Sequence, residues 1–222
     1  MTLTFVDLYN ECAGQPWSMF DNDVTSKEDF ESAMRISINK AVSYLWNFQK
    51  WSFRLAKKHI KTKADRAAYL LPDGLIQKKT LRGAVKYSVK HGNKYLGYVS
   101  DYELLEDKYG QPESFYLDND NIYIYPTPDA TYQINVGYYK TNYAIDDENQ
   151  EKAELVEDTD SINIPEKYEA LFKNCAISLA MLYAIADESD ENYSGYLNQY
   201  NNALNILIDN CKNGATEKHI VW

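Results

Sequence analysis

The sequence is poor in the residues that build metal sites, disulfides and cofactor pockets. Its 222 residues include only three cysteines and three histidines, and neither type has the spacing of zinc ligands or redox motifs. We therefore expect no metal, no disulfide and no cofactor. The cysteines stand within apolar helical patterns and are predicted to be small core residues of a protein from a reducing compartment; they are Cys12, Cys175 and Cys211.

Motifs for catalysis are lacking as well. The chain has no glycine-rich phosphate-binding loop and no nucleophile elbow. Acidic pairs such as Asp146 and Asp147 stand in a polar stretch that is typical of solvated charge rather than acid–base catalysis. We expect a protein that is not an enzyme, and an unrecognised hydrolase is the remote alternative.

Long hydrophobic runs are absent too. No stretch of about 18 apolar residues occurs, which a membrane-spanning helix requires. The opening residues, MTLTFVDLYNE, lack the basic and apolar regions of a signal peptide. We expect no membrane partner.

Positive charge is scarce and unevenly distributed. The formal net charge of −10 argues against a protein whose main task is to grip phosphate backbones. Basic residues gather in the middle of the chain and include the lysine run Lys57, Lys58, Lys61 and Lys63. Residues 146–160 are strongly acidic and begin with Asp146, Asp147, Glu148 and Glu151. Such asymmetry favours electrostatic pairing of subunits, or solvated faces that keep strand edges from aggregating.

Helical patterns are clear near the start of the chain. Thr4 and Asp7 form a capping-box pattern, which predicts a short helix ending near Gly14. Thr25 and Glu28 repeat the pattern and predict the start of a long amphipathic helix. The predicted buried stripe of this helix is Phe30, Met34, Ile38, Ala41, Leu45 and Phe48.

A second pair of helices is predicted near the other end. Pro165 is typical of a first helical turn, and Asn213 with Gly214 should close the last helix. The predicted buried side of the first of these helices is Tyr168, Leu171, Phe172, Cys175, Leu179, Leu182 and Tyr183. A short polar connection predicts an antiparallel hairpin that packs on the long helix.

Between these regions the apolar pattern changes to alternation, which is typical of β-strands. The predicted strands are residues 51–62, 67–71, 75–81, 85–89, 94–99, 115–117, 121–125 and 131–139. A short helix is expected near residues 100–108. Pro126 and Pro128 should end a strand, because proline has no N–H for a sheet ladder, and the last three strands are predicted to form a meander.

These patterns predict an α+β fold. A helical bundle body, made of the long N-terminal helix and the C-terminal helix hairpin, carries an inserted antiparallel β domain. The expected divisions are residues 1–50 and 160–213 for the body, 51–145 for the β domain, 146–160 for an acidic loop and 214–222 for a C-terminal tail.

Several short motifs follow one another in a characteristic order. They are an aromatic cluster at 46–53, AAYLLPDGLI at 67–76, GQP at 110–112, IYIYPTPD at 122–129 followed by YxIxVxYY at 132–139, and IPEKY at 164–168. Together they resemble the adaptor, or head-to-tail connector, proteins of tailed bacteriophages, including the tail tubular protein A type. The resemblance covers most of the chain.

The resemblance implies a structural virion protein of the neck or tail, assembled in the host cytoplasm. In that family a helical body with an inserted β domain forms a ring, commonly of twelve copies, beneath the portal, and its lumen continues the DNA channel. The implied partners are further copies of the chain, the portal protein, other neck or tail proteins and passing duplex DNA. The C-terminal residues implied to dock on the portal or a neighbour are His219, Ile220, Val221 and Trp222.

The role of the lysine run stays open among three alternatives. It contacts DNA in the lumen, pairs with the acidic loop of the next subunit, or is an exposed strand face; the subunit pairing is favoured. The competing function is a tyrosine-rich binding module for glycans or single-stranded nucleic acid, since 20 tyrosines could supply stacking surfaces. A connector works as a closed ring, whereas a binding module acts as a monomer with a ligand.

Overall fold

The computed structural model describes residues 2–14, 26–71, 88–92, 94–99, 108–118, 121–185 and 188–213. The chain divides into two compact units. The terminal unit is Met1–Phe53 with Asn142–Trp222, and the central unit is Arg54–Thr141. Among the described helices, none combines the length and the apolar character needed to cross a membrane.

The helices are α1 Phe5–Ala13, α2 Lys27–Phe48, α3 Glu166–Ile185 and α4 Glu191–Asn213. The strands are β1 Leu55–Lys61, β2 Ala68–Leu70, β3 Ser88–His91, β4 Lys94–Tyr95, β5 Gly97–Tyr98, β6 Tyr109–Gly110, β7 Ser114–Asp118, β8 Asn121–Tyr125, β9 Thr127–Pro128, β10 Gln133–Tyr139, β11 Ala144–Ile145, β12 Glu151–Lys152 and β13 Ser161–Ile162. The prediction of mixed α and β structure with antiparallel sheets is confirmed.

The helix caps follow the predicted chemistry, with one shift. The capping box at Thr4 is confirmed: the Thr4 hydroxyl accepts from the Asp7 N–H at 3.3 Å, and the Asp7 carboxylate accepts from the Thr4 N–H at 3.0 Å. The cap of α2 is Ser26 rather than Thr25. Its hydroxyl accepts a hydrogen bond from the Asp29 N–H at 3.1 Å. The Asp29 carboxylate lies in the first turn of α2, where the helix dipole favours negative charge.

The core of the terminal unit is formed by residues of all four helices and of β11 and β13. These two strands form a three-stranded sheet with β12. The predicted stripe of α2 is buried except for Phe48, which is 42% exposed. Tyr183, predicted on the buried side of α3, is 39% exposed. An apolar residue at helical spacing can lie in the buried stripe or flank it, and the sequence pattern alone does not distinguish the two.

The central unit contains two four-stranded sheets, in the orders β1-β10-β3-β4 and β2-β8-β7-β5. Residues from both sheets share one apolar cluster, which includes Ile60, Ile134, Phe115, Ile122 and Ile124. Alternate residues therefore face the core and the outside. Two short pairings are parallel, β5 with β7 and β6 with β9, so the sheets are not wholly antiparallel as predicted.

The predicted meander is wrong in its last strand. β7 and β8 form the expected hairpin, but β10 pairs with β1 and β3 in the other sheet. The prolines explain the change, since β9 contains Pro128 and, among the strands that the structure describes, pairs with the short β6 alone. The chain thus leaves one sheet at Pro126 and enters the other at Gln133.

Other strand predictions are shifted or untested. Residues 52–54 form a single 3-10 turn, so β1 begins at Leu55 rather than at residue 51. Gly92 lies between the paired strands β3 and β4 and has a φ of 58°, which favours glycine. The strand predicted at 75–81, most of the one at 85–89, and the short helix near 100–108 apart from Lys108 lie outside the described residues.

The three cysteines are free and buried, as predicted. Burial raises the pKa of the Cys12 and Cys175 thiols to about 12 and that of Cys211 to about 11. Since the thiolate is the reactive form, these side chains should be inert in the folded protein.

We expect no labelling of the native chain by an aromatic disulfide reagent at neutral pH, and three labelled thiols per chain in denaturant. The measurement is thiol release followed by absorbance, with free cysteine as the control for reagent activity. Native labelling at the rate of free cysteine would show that at least one of these helical positions is open to solvent.

Candidate functional site

The outer side of β1 carries the first candidate surface, which we name the lysine face: Lys57, His59, Lys61, Gln133 and Asn135. The first three residues are exposed and alternate with half-buried Lys58 and buried Ile60. His59 lies opposite Asn135 and Lys61 opposite Gln133 in the β1–β10 ladder. The His59 ring nitrogen Nδ1 also contacts the Asn135 side-chain oxygen.

No carboxylate interrupts this sheet. The sequences of β1, β10, β3 and β4 contain five lysines and neither Asp nor Glu. The predicted lysine run divides between positions: Lys57 and Lys61 share the exposed face, Lys58 lies on the opposite face, and Lys63 follows the strand. Within the described ranges none of these four lysines makes an ion pair, so their charge is directed to solvent or to a partner.

The second candidate surface is the acidic segment, residues 146–160. Its first turn is built around Asp146, whose carboxylate accepts from the N–H groups of Glu148 at 3.0 Å and Gln150 at 2.7 Å. Asp147 and Glu148 are exposed. Glu151 begins β12, and its carboxylate accepts from the Asn163 side chain at 3.3 Å. The segment predicted as a loop therefore contains a turn and a short strand.

Asp160 anchors the end of this segment. Its side chain is 1% exposed and accepts from Lys152 Nζ at 2.7 and 3.0 Å, and from the N–H groups of Val156 and Glu157 at 2.7 and 2.9 Å. Burial alone raises the pKa of Asp160, but the hydrogen bonds from Lys152 and the two N–H groups outweigh it and hold this pKa below its ordinary value.

Asn39 of α2 holds the middle of the segment. Its side-chain amide donates to the Leu155 carbonyl at 2.8 Å and accepts from the Leu155 N–H at 3.0 Å. The same oxygen accepts from the Tyr143 hydroxyl at 2.9 Å. The Asn39 amide thus satisfies both the N–H and the C=O of Leu155, as a neighbouring strand would. Leu155 is 2% exposed.

Arg35 provides a third link, one turn away on α2. Its guanidinium forms an ion pair with Asp158 and lies 3.5 Å from Glu31. The Arg35 carbon Cζ also stands 4.8 Å from the centre of the Phe5 ring. The hydrogen bond that Arg35 donates to the Asp158 carboxylate raises the pKa of Arg35.

A groove of about 740 Å³ runs between α2 and the acidic segment. One wall is α2, including Ile36 and Tyr44, which are 52% and 46% exposed. Tyr183 of α3 also lines the groove, and Glu154 belongs to the opposite wall. Lys40 lies on the α2 wall and is exposed. The groove therefore combines apolar area with charges of both signs.

The two units carry opposite net charge. Residues 54–141 contain 14 Lys and Arg against 10 Asp and Glu, whereas the rest of the chain contains 9 against 23. The lysine face belongs to the positive unit and the acidic segment to the negative one. The difference in net charge between the two units is larger than the lysine run and the acidic run alone indicated.

Of the predicted site residues, the C-terminal group His219, Ile220, Val221 and Trp222 lies outside the described residues. Sequence reasoning missed Asn39, Arg35 and the buried role of Asp160. Lys152 was a usable signal for the last of these, because it is the single basic residue within 146–160. In the described part of the chain, no three His, Cys, Asp or Glu side chains form a group that could bind a metal ion.

A protein-family model described as SU10 adaptor protein matches residues 13–218. The chain belongs to the SU10 adaptor protein family. The resemblance to phage head–tail adaptors is thereby confirmed at the level of the family. The adaptor is a phage structural protein and a virion component that interacts with other phage head or tail proteins. No curated protein matches its sequence.

The Asp160 network predicts a pH-dependent contribution to stability. Because folding lowers the Asp160 pKa, the stabilisation is complete above the ordinary carboxyl value of 3.8 and is lost as the pH falls through the folded-state value. We expect Asp160→Asn to lower the free energy of unfolding by about 2 kcal/mol at neutral pH. Urea unfolding at several pH values measures this.

The control for Asp160 is Asp147→Asn, which removes an exposed carboxylate of the same segment and should change stability by less than about 0.5 kcal/mol. The difference in unfolding free energy between the wild type and Asp160→Asn should become smaller in acid. A difference that stays constant down to the acid transition would contradict an ionised Asp160.

The Asn39 contacts predict a local effect. Asn39→Ala leaves the Leu155 N–H and C=O without their side-chain partner, so we expect a loss of about 2–3 kcal/mol in the free energy of unfolding. We also expect faster hydrogen exchange at the Leu155 amide. The matched control is Asn47→Ala on the same helix, because Asn47 is exposed and its side chain bonds only the Ser43 carbonyl among described groups. Equal effects of the two substitutions would contradict the assignment.

Proposed function

We propose that the adaptor is a structural, non-catalytic subunit of a closed ring, of the tail tubular protein A type and with twelve copies, that joins the portal to the tail. The family assignment supports a head–tail role. The observation that carries the ring is the charge separation between the two units. The partners proposed are further copies of the chain, the portal and other neck or tail proteins.

Opposite charges on two different surfaces favour a head-to-tail contact. In a two-fold symmetric dimer the same surface meets itself, which would bring the acidic segment against an acidic segment. A head-to-tail contact pairs unlike surfaces, and it closes into a ring when the rotation per subunit divides a full turn. Electrostatic complementarity of this kind steers assembly and selects the partner more than it adds affinity.

The same charge balance supports a channel through which DNA slides. A net charge of −10 disfavours the release of counterions that drives tight phosphate binding. The ring would thus enclose duplex DNA in transit without holding it. Docking of the segment with His219 and Trp222 onto the portal or a neighbouring subunit remains part of the proposal, with assembly in the host cytoplasm.

The test is the native mass of the purified adaptor across a concentration series, alone and mixed with the portal protein of the same phage. We expect a closed oligomer, alone or on the portal, whose formation weakens at about 1 M salt because screening then acts over about 3 Å. A monomer under every condition would overturn the proposal. Affinity of that monomer for glycans or single-stranded oligonucleotides would establish the binding-module alternative.

A further inference from the structure

The α2 wall of the groove leaves apolar surface exposed. Ile36, Lys40, Tyr44 and Phe48 repeat at intervals of four residues and therefore lie along one line of the helix. Ile36, Tyr44 and Phe48 are each more than 40% exposed, at 52%, 46% and 42%. Tyr183 extends the line from α3. Ile36, Tyr44 and Tyr183 line the groove, and Phe48 lies beyond its lining. Their exposed apolar area, interrupted by Lys40, marks an interaction surface.

The opposite wall sets the charge of the occupant. Glu154 lines the groove, and Glu148 and Glu157 are exposed in the same segment. None of these three carboxylates forms an ion pair with a described residue. By contrast, Asp158 and Asp160 are engaged by Arg35 and Lys152. Of the positive groups that line the groove, Arg35 is paired with Asp158 and Lys40 is exposed on the α2 wall. The acidic segment, rather than the α2 wall, therefore favours a partner that brings positive charge together with apolar contact area.

The adaptor itself has such a surface. On the lysine face, Lys57 and Lys61 project from alternate positions of β1, with no acid in the four strands. A lysine side chain supplies an apolar stem with a charged tip, and its ammonium group is attracted to the face of a tyrosine ring such as Tyr44 or Tyr183. The lysine face is thus complementary in charge to the acidic wall and in apolar character to the exposed rings of the groove, whereas Lys40 on the α2 wall opposes it.

We propose that the groove between α2 and the acidic segment receives the lysine face of a second copy of the adaptor. Each copy then acts as donor through its central unit and as acceptor through its terminal unit. The inference rests on the proposed function, since it names the two surfaces of the head-to-tail contact.

Substitution of Lys40 distinguishes a basic occupant of the groove from an acidic one. It is exposed on the groove wall, where it repels an incoming lysine face and would attract an acidic peptide or a phosphate backbone. Lys40→Glu therefore strengthens association between copies if the lysine face is the occupant. The same substitution weakens binding if the occupant is acidic.

Cysteine cross-linking tests the pairing directly. The three native thiols are buried, so introduced surface cysteines are the reactive ones. Lys61→Cys protein mixed with Glu154→Cys protein, alone and with portal present, should give a disulfide between the two variants, whereas either variant alone should not. Disulfides of Glu154→Cys with itself would indicate a two-fold contact and overturn the proposal.

Charge reversal provides the quantitative test, read as the concentration at half-assembly. We expect Lys61→Glu and Glu154→Lys each to raise this concentration about tenfold, and their combination in one chain to restore it. Lys40→Glu should lower it. The control is Asp209→Lys on α4, which makes the same charge change as Glu154→Lys at an exposed position that does not line the groove and should leave assembly unchanged.

The outcomes separate this inference from the proposed function. A wild type that never associates, alone or with portal, overturns both. Assembly that is insensitive to Lys61→Glu, Glu154→Lys and Lys40→Glu leaves the ring intact and overturns the pairing. Duplex DNA binding that Lys61→Glu abolishes, with assembly unchanged, would assign the lysine face to a polyanion and overturn the pairing as well.

Discussion

The terminal unit depends on an aromatic cluster that joins its two chain segments. Trp51 stacks on Phe53 with ring centres 5.6 Å apart, and Phe53 reaches Tyr168 at 5.5 Å and Phe172 at 6.3 Å. The Trp51 indole N–H donates to the Leu45 carbonyl at 2.7 Å, which satisfies its polar group inside the core. The cluster offsets the entropy cost of closing the chain around residues 54–141.

On this core, polar contacts give the acidic segment a defined structure. Surface ion pairs alone contribute little, but Asn39 and Asp160 bind backbone groups, and a buried N–H or C=O without a partner is costly. Asn39 therefore holds the middle of the segment through Leu155. Asp160 holds its end through the N–H groups of Val156 and Glu157. The remaining carboxylates of the segment are carried by a backbone of defined conformation, and such preorganisation favours specific binding.

The two charged surfaces suggest how copies of the adaptor associate. One unit of the chain has excess positive charge and the other has a larger excess of negative charge. Exposed charges are screened over about 8 Å at physiological salt, so they guide association while buried apolar area holds it. The groove beside α2 supplies such area next to the acidic wall.

Local signals were enough for much of the fold. The capping residues of α1, the buried stripe of α2, the start of α3 after Pro165, the buried cysteines and the β7–β8 hairpin were all predictable, because each depends on residues close together in the chain. The lysine run and the acidic run were visible for the same reason. The resemblance to phage adaptors was visible in the order of short motifs, and the family model confirms it.

Only the tertiary structure decided the rest. Alternation shows that residues 133–139 form a strand, but not that β10 pairs with β1 and β3 instead of β8, since pairing between distant strands leaves no local period. In the same way, a run of acidic residues does not reveal that Asp160 is buried and paired with Lys152, whereas Glu154 lines a groove. The sequence by itself determined the main helices, the β7–β8 hairpin and the division of charge along the chain. Packing between distant segments decided how the strands pair and which charges are exposed.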